Sequence, residues 1–325
     1  MKRTEFSCTA KTRLATLAFV SAAAMSGMAA TPAGAQNFDF PGGEQALADQ
    51  ALATWGYLAL PNRAARFVSA GRFKGSDAEL LYGQIGDGLN PYETSPFYTE
   101  LFGGYQSFDP VLTLSDGSNT TTANAEWNSF SVTGGFGWDF EIDEYWTLRP
   151  IANISFGNVQ AEVDPISGVN SGNSGSGVDF LRNGELWTMG YGAALELQYK
   201  LHAPNREFDF YLRHTEMKLE TIGDSTVDAD ADVSATTAWL RARYPIRNWR
   251  AYGRPVRSVW QAGVAGLYGD QDEALGFDWV ASLGAGIELD VEETSLPWVK
   301  RARVMLGYSK SDVFDVYSIG FGISF

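Results

Sequence analysis

Residues 313–325 read Val313-Phe-Asp-Val-Tyr-Ser-Ile-Gly-Phe-Gly-Ile-Ser-Phe325. The odd positions Val313, Tyr317, Ile319, Phe321, Ile323 and Phe325 are apolar, with Asp315 the exception. Apart from Phe314 and Val316, the even positions Asp312, Ser318, Gly320, Gly322 and Ser324 are small or polar. A strand turns these two sets to opposite faces. The same split recurs upstream, in the odd positions from Phe277 to Leu289 against the even ones from Asp278 to Asp290. It recurs from Trp187 to Tyr199 against Thr188 to Lys200. Between 129 and 141 the even residues Phe130, Val132, Phe136, Trp138 and Phe140 oppose Ser129, Ser131, Thr133, Gly135, Asp139 and Glu141.

These runs last about 11 to 15 residues, against ~5–6 for a globular strand. A tilted membrane-spanning strand needs ~9–11 residues. An apolar face with aromatics near its ends, opposite a face of Gly, Ser, Thr and charge, is the pattern of an all-β transmembrane barrel. A soluble sandwich would explain neither the strand length nor the glycines and charges that share the second face. Counting back from Phe325, strands are expected at 313–325, 300–310, 275–291, 256–268, 233–245, 207–220, 186–200, 145–158, 126–141, 97–108, 78–86 and 64–74. About twelve strands, an even number, suit a closed antiparallel up-and-down barrel without exposed edges. Inner turns are expected at 87–96, 142–144, 201–206, 246–255 and 292–299. Outer loops are expected at 109–125, 159–185, 221–232, 269–274 and 311–312.

Composition agrees. The chain has 325 residues, 45% hydrophobic and 14% aromatic, with a formal charge of −15. That is too apolar for disorder and too acidic for a nucleic-acid binder. Mean hydropathy is −0.16, and past the N-terminus no apolar run approaches the ~18 residues of a membrane helix.

Residues 1–35 read as a signal peptide. Lys2, Arg3, Lys11 and Arg13 precede an apolar stretch from Leu14 to Met25, and Ala33-Gly34-Ala35 fits cleavage before Gln36. Cys8, the one cysteine, falls inside it, so thiol catalysis and cysteine zinc sites are excluded from the exported chain. Residues 36–62 form a lead-in with a helix expected over Gly43 to Leu60, where Leu47, Ala51, Trp55 and Leu58 recur at helical spacing and Pro61 stops the run. That helix is either a plug for the pore or a periplasmic lead-in. Residues 63–325 are the barrel.

The row Tyr317, Ile319, Phe321, Ile323, Phe325 resembles the C-terminal signal that outer-membrane barrels present to their assembly machinery. About twelve strands behind a short helix resemble the translocator domain of autotransporters. With only Gln36 to Gly42 ahead of the helix, the chain is similar to a solitary barrel of that type without a passenger. The resemblance implies a Gram-negative outer-membrane location, with outer-membrane lipid, lipopolysaccharide, the barrel assembly machinery and periplasmic chaperones as partners. It implies no cofactor and no enzyme activity; the alternative is a small porin-like channel for solutes.

Catalytic signals are weak. His202 falls in an expected inner turn. His214 lies in a strand beside Thr215 and Glu216, and strand neighbours point to opposite faces. Asp228, Asp230 and Asp232 begin like a calcium loop, but Val233 and Trp239 stand where it needs Gly and Glu. The informative charges are Arg149, Arg213, Arg241, Arg243, Arg301 and Arg303, expected in the lumen with Glu196, Glu288, Asp139 and Glu141. Opposite charges facing each other across a narrow lumen can pair and brace the wall, or form a selectivity constriction. The outer mouth is expected to be acidic, while the inner turn 246–255 carries Arg247, Arg250 and Arg254 with no acid.

Overall fold

The computed structural model describes residues 38–39, 43–62, 67–72, 79–91, 95–115, 120–163, 182–225, 227–251, 253–291 and 301–324. The signal-peptide segment 1–35, the expected inner turn 292–299 and Phe325 lie outside them. In chain order the elements are β1 (Phe38–Asp39), α1 (Gly43–Ala59), β2 (Phe67–Arg72), β3 (Glu79–Leu89) and β4 (Phe97–Asp109). Next come β5 (Val111–Ser115), β6 (Thr120–Trp138), β7 (Phe140–Glu141), β8 (Trp146–Val163), β9 (Arg182–Ala203) and β10 (Arg206–Thr221). The chain ends with β11 (Asp230–Ala251), β12 (Arg254–Gly269), α2 (Asp270–Leu275), β13 (Trp279–Asp290), β14 (Arg301–Lys310) and β15 (Asp315–Ser324).

Twelve strands close into a ring, β2-β3-β4-β6-β8-β9-β10-β11-β12-β13-β14-β15, and β15 returns antiparallel to β2 through Ile319 opposite Val68. Every pairing in the ring is antiparallel, so the fold is the expected up-and-down barrel. The short β5 and β7 extend β6 and β8, and β1 runs parallel to β5. No described helix is long and apolar enough to cross a membrane, which says nothing of crossing by strands.

The exterior carries the expected rows. Leu195 and Leu283, Phe130 and Phe136, and Tyr317 and Ile319 are all exposed. Charged side chains of the opposite rows, Glu196 and Glu288 among them, are buried inside. One departure is Phe277, expected in the outward row with Trp279. It precedes β13 and packs inside against Phe314, with ring centroids 5.1 Å apart.

At the loop-bearing end the strands run further than expected. β8 continues to Val163 and β9 begins at Arg182, where a loop over 159–185 was expected. β4, β5 and β6 take up most of 109–125, and β11 starts at Asp230. The cause is a reversal of sidedness. Along β10 the inward residues pass from Glu207, Asp209 and Arg213 to Met217 and Leu219. The outward ones pass from Phe208, Phe210 and Leu212 to His214, Glu216 and Lys218. β8 behaves alike: Ile154 and Phe156 outside give way to Gln160 and Glu162, while Val159 and Ala161 turn inward. The barrel is therefore apolar outside and polar inside toward its C-terminal edge, and the opposite beyond.

Two further connections differ. The expected loop 269–274 is α2, entered at Gly269 (φ 84°) and closed at Gly276 (φ 71°), with Asp270, Asp272 and Glu273 in its first turn, where the helix dipole favours acids. The expected turn 246–255 is mostly strand, with β11 reaching Ala251 and β12 starting at Arg254.

Candidate functional site: the filled lumen

The helix expected over 43–60 forms as α1 and lies inside the barrel. It was expected to show an apolar stripe at Leu47, Ala51, Trp55 and Leu58; Ala48, Leu52, Ala53, Thr54 and Ala59 are buried as well. From Ala51 to Ala59 the helix is buried on every side, only Tyr57 being half-buried, and such a helix needs protein all round it; the inward apolar residues of the upper barrel supply it. Leu80, Tyr82, Phe108, Trp127, Leu186 and Leu219 belong to the same core as α1. Backbones approach closely where the wall carries glycine. A Cβ on Gly157 would stand 2.6 Å from the Trp55 indole nitrogen, and one on Gly104 2.5 Å from Leu58.

The helix ends inside the lumen, where its last carbonyls have no helical partner. The wall supplies donors. Gln84 Nε2 donates to the Leu58 and Leu60 carbonyls at 2.9 and 3.0 Å, Ser131 Oγ to Leu58 at 3.0 Å, and Thr133 Oγ1 to Ala59 at 2.7 Å. The Trp55 indole N–H donates to the Phe130 carbonyl at 2.9 Å. Leaving such a buried group unpaired would cost about 1–3 kcal/mol. At the other end, Gln45 and the Asp230 N–H both donate to Asp49 Oδ1. Burial raises the Asp49 carboxyl above its ordinary value, against those two hydrogen bonds.

Below α1 the lumen is spanned by charge. Arg213 on β10 grips Glu100 on β4, four strands round the ring, with both Nη atoms at 2.8 Å. Asn153 and the Tyr98 hydroxyl also donate to Glu100, at 2.7 and 2.9 Å. Arg149 joins Glu196 at 3.1 Å and Asp139 at 2.8 Å, and its guanidinium stacks 3.6 Å over the Tyr98 ring. Asp139, between β6 and β7, would be raised by burial, but Arg149 and Asn90 hold it below the ordinary carboxylate value. A second group joins Arg243 to Asp209 at 2.6 Å, Arg301 to Glu207 at 3.0 Å, and Arg303 to Glu288 at 3.3 Å. Arg243 and Arg301 also reach Glu288, each at 3.4 Å. Arg241 donates to Gln261 at 3.1 Å and lies 4.1 Å over Trp239.

Of the ten charges expected in the lumen, Arg149, Arg213, Arg241, Arg243, Arg303, Glu196 and Glu288 are buried and Arg301 and Asp139 are half-buried, each with a polar partner inside the barrel. Glu141, expected beside them, is exposed on β7 at the rim. The sequence reading missed Glu100, Glu207 and Asp209. For two of them the signal was present: Glu207 and Asp209 alternate with Phe208 and Phe210. Of the assembly row, Tyr317 and Ile319 are exposed on β15, while Phe321 and Ile323 are placed by backbone register opposite Val304 and Ala302.

His214 requires a correction. Glu216 is two residues away, so it shares His214's outward face; His214 Nε2 meets Glu216 at 3.2 Å and Nδ1 meets the Thr236 hydroxyl at 2.8 Å. Acyl transfer also needs donors for an oxyanion. Here the backbone is committed to the β9–β10–β11 ladders, and the next outward pair, Lys218 and Asp232, is a 3.2 Å ion pair. The trio is a polar cross-strand contact. His202 contacts Asp209 at 2.7 Å near the C-terminal edge. Of the acidic comb, Asp230 and Asp232 begin β11; among the described residues no His, Cys, Asp and Glu cluster is set to hold a metal ion.

No protein family model matches the chain, and no curated protein matches its sequence. Solved structures do resemble it. The β-domain of the Bordetella autotransporter BrkA is 16% identical over 80% of this chain and 96% of that one, with a TM-score of 0.45. The transport unit of the autotransporter AIDA-I from Escherichia coli is 14% identical over 85% of this chain and 98% of that one, at 0.49. The NanC porin is 14% identical over 80% and 99%, at 0.37. The barrel assignment itself rests on the closed ring of pairings.

Proposed function

We propose that the chain is a solitary autotransporter-like barrel of the Gram-negative outer membrane, closed by its own helix and without a catalytic role. The apolar exterior suits a bilayer, and the buried charge network suits a braced wall. The short connection between β9 and β10, residues 204–205, sits at the C-terminal edge, and the long one between β8 and β9 sits at the other. Barrels of this kind keep short turns on the periplasmic side. Export by residues 1–35 and insertion guided by the row from Tyr317 to Phe325 complete the reading, with lipid, lipopolysaccharide, chaperones and the assembly machinery as its partners.

The observation that carries it is the clasp of Gln84, Ser131 and Thr133 on the last carbonyls of α1. A passing segment would have no use for wall donors matched to a helix end; a resident plug does. Planar-bilayer recording of the mature chain tests it. Near-silent bilayers are expected, with steady conductance appearing when residues 36–62 are deleted. A large steady conductance from the intact chain would favour the porin-like channel.

A further inference from the structure

From Val233 to Gly269 the chain holds no Asp, Glu or Lys, yet it holds Arg241, Arg243, Arg247, Arg250, Arg254 and Arg257. In a protein of formal charge −15 this is a concentrated exception. Arg241 and Arg243 are committed to the lumen, and Arg257 reaches Glu207 at 3.9 Å. The others sit where β11 and β12 join at the C-terminal edge. The ladder there is irregular: Pro245 pairs with Arg257, and Arg250 with Pro255, so residues 246–249 stand against the single residue Val256. Such a bulge pushes the longer strand out of the sheet. It leaves Arg247 and Trp249 exposed, Trp249 by 49%. Arg250 is also exposed, with Nη1 on the Gly253 carbonyl at 3.2 Å. Neither Arg247 nor Arg250 forms an ion pair among the described residues. On the outward face just beyond the bulge, Tyr244 and Trp260 begin the apolar exterior.

We propose that this bulge binds the headgroups of anionic phospholipids in the inner, periplasm-facing leaflet. The proposal rests on the membrane reading above and adds a ligand to it. A guanidinium matches a phosphodiester with two parallel donors, and a tryptophan at a barrel rim settles at headgroup depth. Zwitterionic lipid offers the same phosphate with its own cation attached, which competes with arginine; phosphatidylglycerol does not. A soluble acidic partner would have no use for Trp249 or for a position bordering the apolar exterior.

The test uses the mature chain refolded into phosphatidylcholine vesicles that contain equal fractions of either brominated phosphatidylcholine or brominated phosphatidylglycerol, with tryptophan quenching as readout. Association with the anionic lipid should be stronger by roughly fivefold per exposed arginine at low salt. The preference should collapse at high salt and in Arg247→Gln/Arg250→Gln, while Trp249→Phe should remove most of the lipid-specific quenching. Folding of each variant is checked by the gel-mobility shift on heating. Equal quenching by the two lipids, or a preference that the double variant retains, overturns the proposal. Binding to isolated peptidoglycan that the double variant loses, without lipid preference, overturns it in favour of a wall ligand. No quenching by either lipid would instead fail the membrane reading.

Discussion

Arg213 lays both of its Nη atoms on the two oxygens of Glu100, each at 2.8 Å, across the buried lumen. Coulomb attraction in such a place is set against the cost of desolvating both ions, so the pair is worth little beyond an apolar substitute. Losing one partner is different. Arg213→Leu leaves the buried Glu100 carboxylate without the guanidinium that grips both of its oxygens, and should cost about 3–5 kcal/mol. Adding Glu100→Gln to it should recover a substantial part. Urea titrations of refolded protein measure both; a double variant no better than Arg213→Leu would mean the network acts through packing alone.

Trp55 and Gly157 share one space. Gly157→Ala sets a Cβ 2.2 Å from the Phe130 carbonyl oxygen and against the indole. The nearest atom is wall backbone and the next is the helix's indole, so the ladder and the docked helix must both give, at about 1–3 kcal/mol for an overpacked site. Gly134→Ala, with nothing within 4 Å of the added carbon, should change stability by less than about 0.5 kcal/mol. Protease sensitivity near α1 should rise in the first variant and not in the second. Equal behaviour would place the helix elsewhere.

The alternation made the barrel legible because a lipid-facing row must be apolar at every second residue, from Phe130 to Trp138 and from Trp187 to Leu197. It failed at the outer end for a physical reason. There α1 makes the interior apolar and solvent makes the exterior polar, so on β8 Val159 and Ala161 against Gln160 and Glu162 keep the period but exchange the faces. A search for apolar-out rows loses the strand at that crossing and assigns a loop. The charge network was half legible for another reason. Arginines at alternate positions stand out, but which carboxylate each meets depends on strands four places apart round the ring, and Glu100 has no local sequence mark.

On the membrane reading proposed above, the same crossing marks the outer boundary of the apolar band. Leu212 and Glu216 lie on one face of β10, about 13 Å apart along the strand. Leu212→Arg should cost about 2–4 kcal/mol if it falls near the midplane, and Glu216→Arg about 0–1 kcal/mol near the interface. Leu283→Arg, at a side chain 63% exposed on the exterior, should resemble the first. Refolding titrations in vesicles read the difference. Similar small costs at all three would describe a barrel standing in water.

Assembly should depend on the apolar row of the last strand. In an alternating strand Phe325 shares the parity of Tyr317 and Ile319, which are exposed on the exterior, and Ser324 has the opposite parity. Phe325→Ala should therefore lower outer-membrane levels far more than Ser324→Ala, measured by fractionation and immunoblot. Equal yields would count against the terminal row as the assembly signal.

Asp49 and Asp139 should respond to pH with opposite signs. The Asp49 carboxyl is raised above 3.8 by burial, so between that value and its folded value the folded protein keeps a proton that the unfolded chain releases. Stability then falls as pH rises through the window and stays lower above it. Asp49→Asn removes that penalty and should stabilise α1 docking at pH 7, with the gain shrinking as pH approaches 3.8. Asp139 is lowered: burial opposes the shift, but Arg149 overcomes it, so its contribution is present above 3.8 and lost as pH falls through its folded value. Asp139→Asn should therefore destabilise at pH 7 and matter less in acid. Urea midpoints at pH 7 and about pH 4 check the sign for Asp49→Asn, and midpoints at pH 7 and about pH 2.5, below the ordinary value of 3.8, check it for Asp139→Asn. A loss of stability in Asp49→Asn at pH 7 would mean that the hydrogen bonds from Gln45 and the Asp230 N–H need the charged carboxylate more than burial disfavours it.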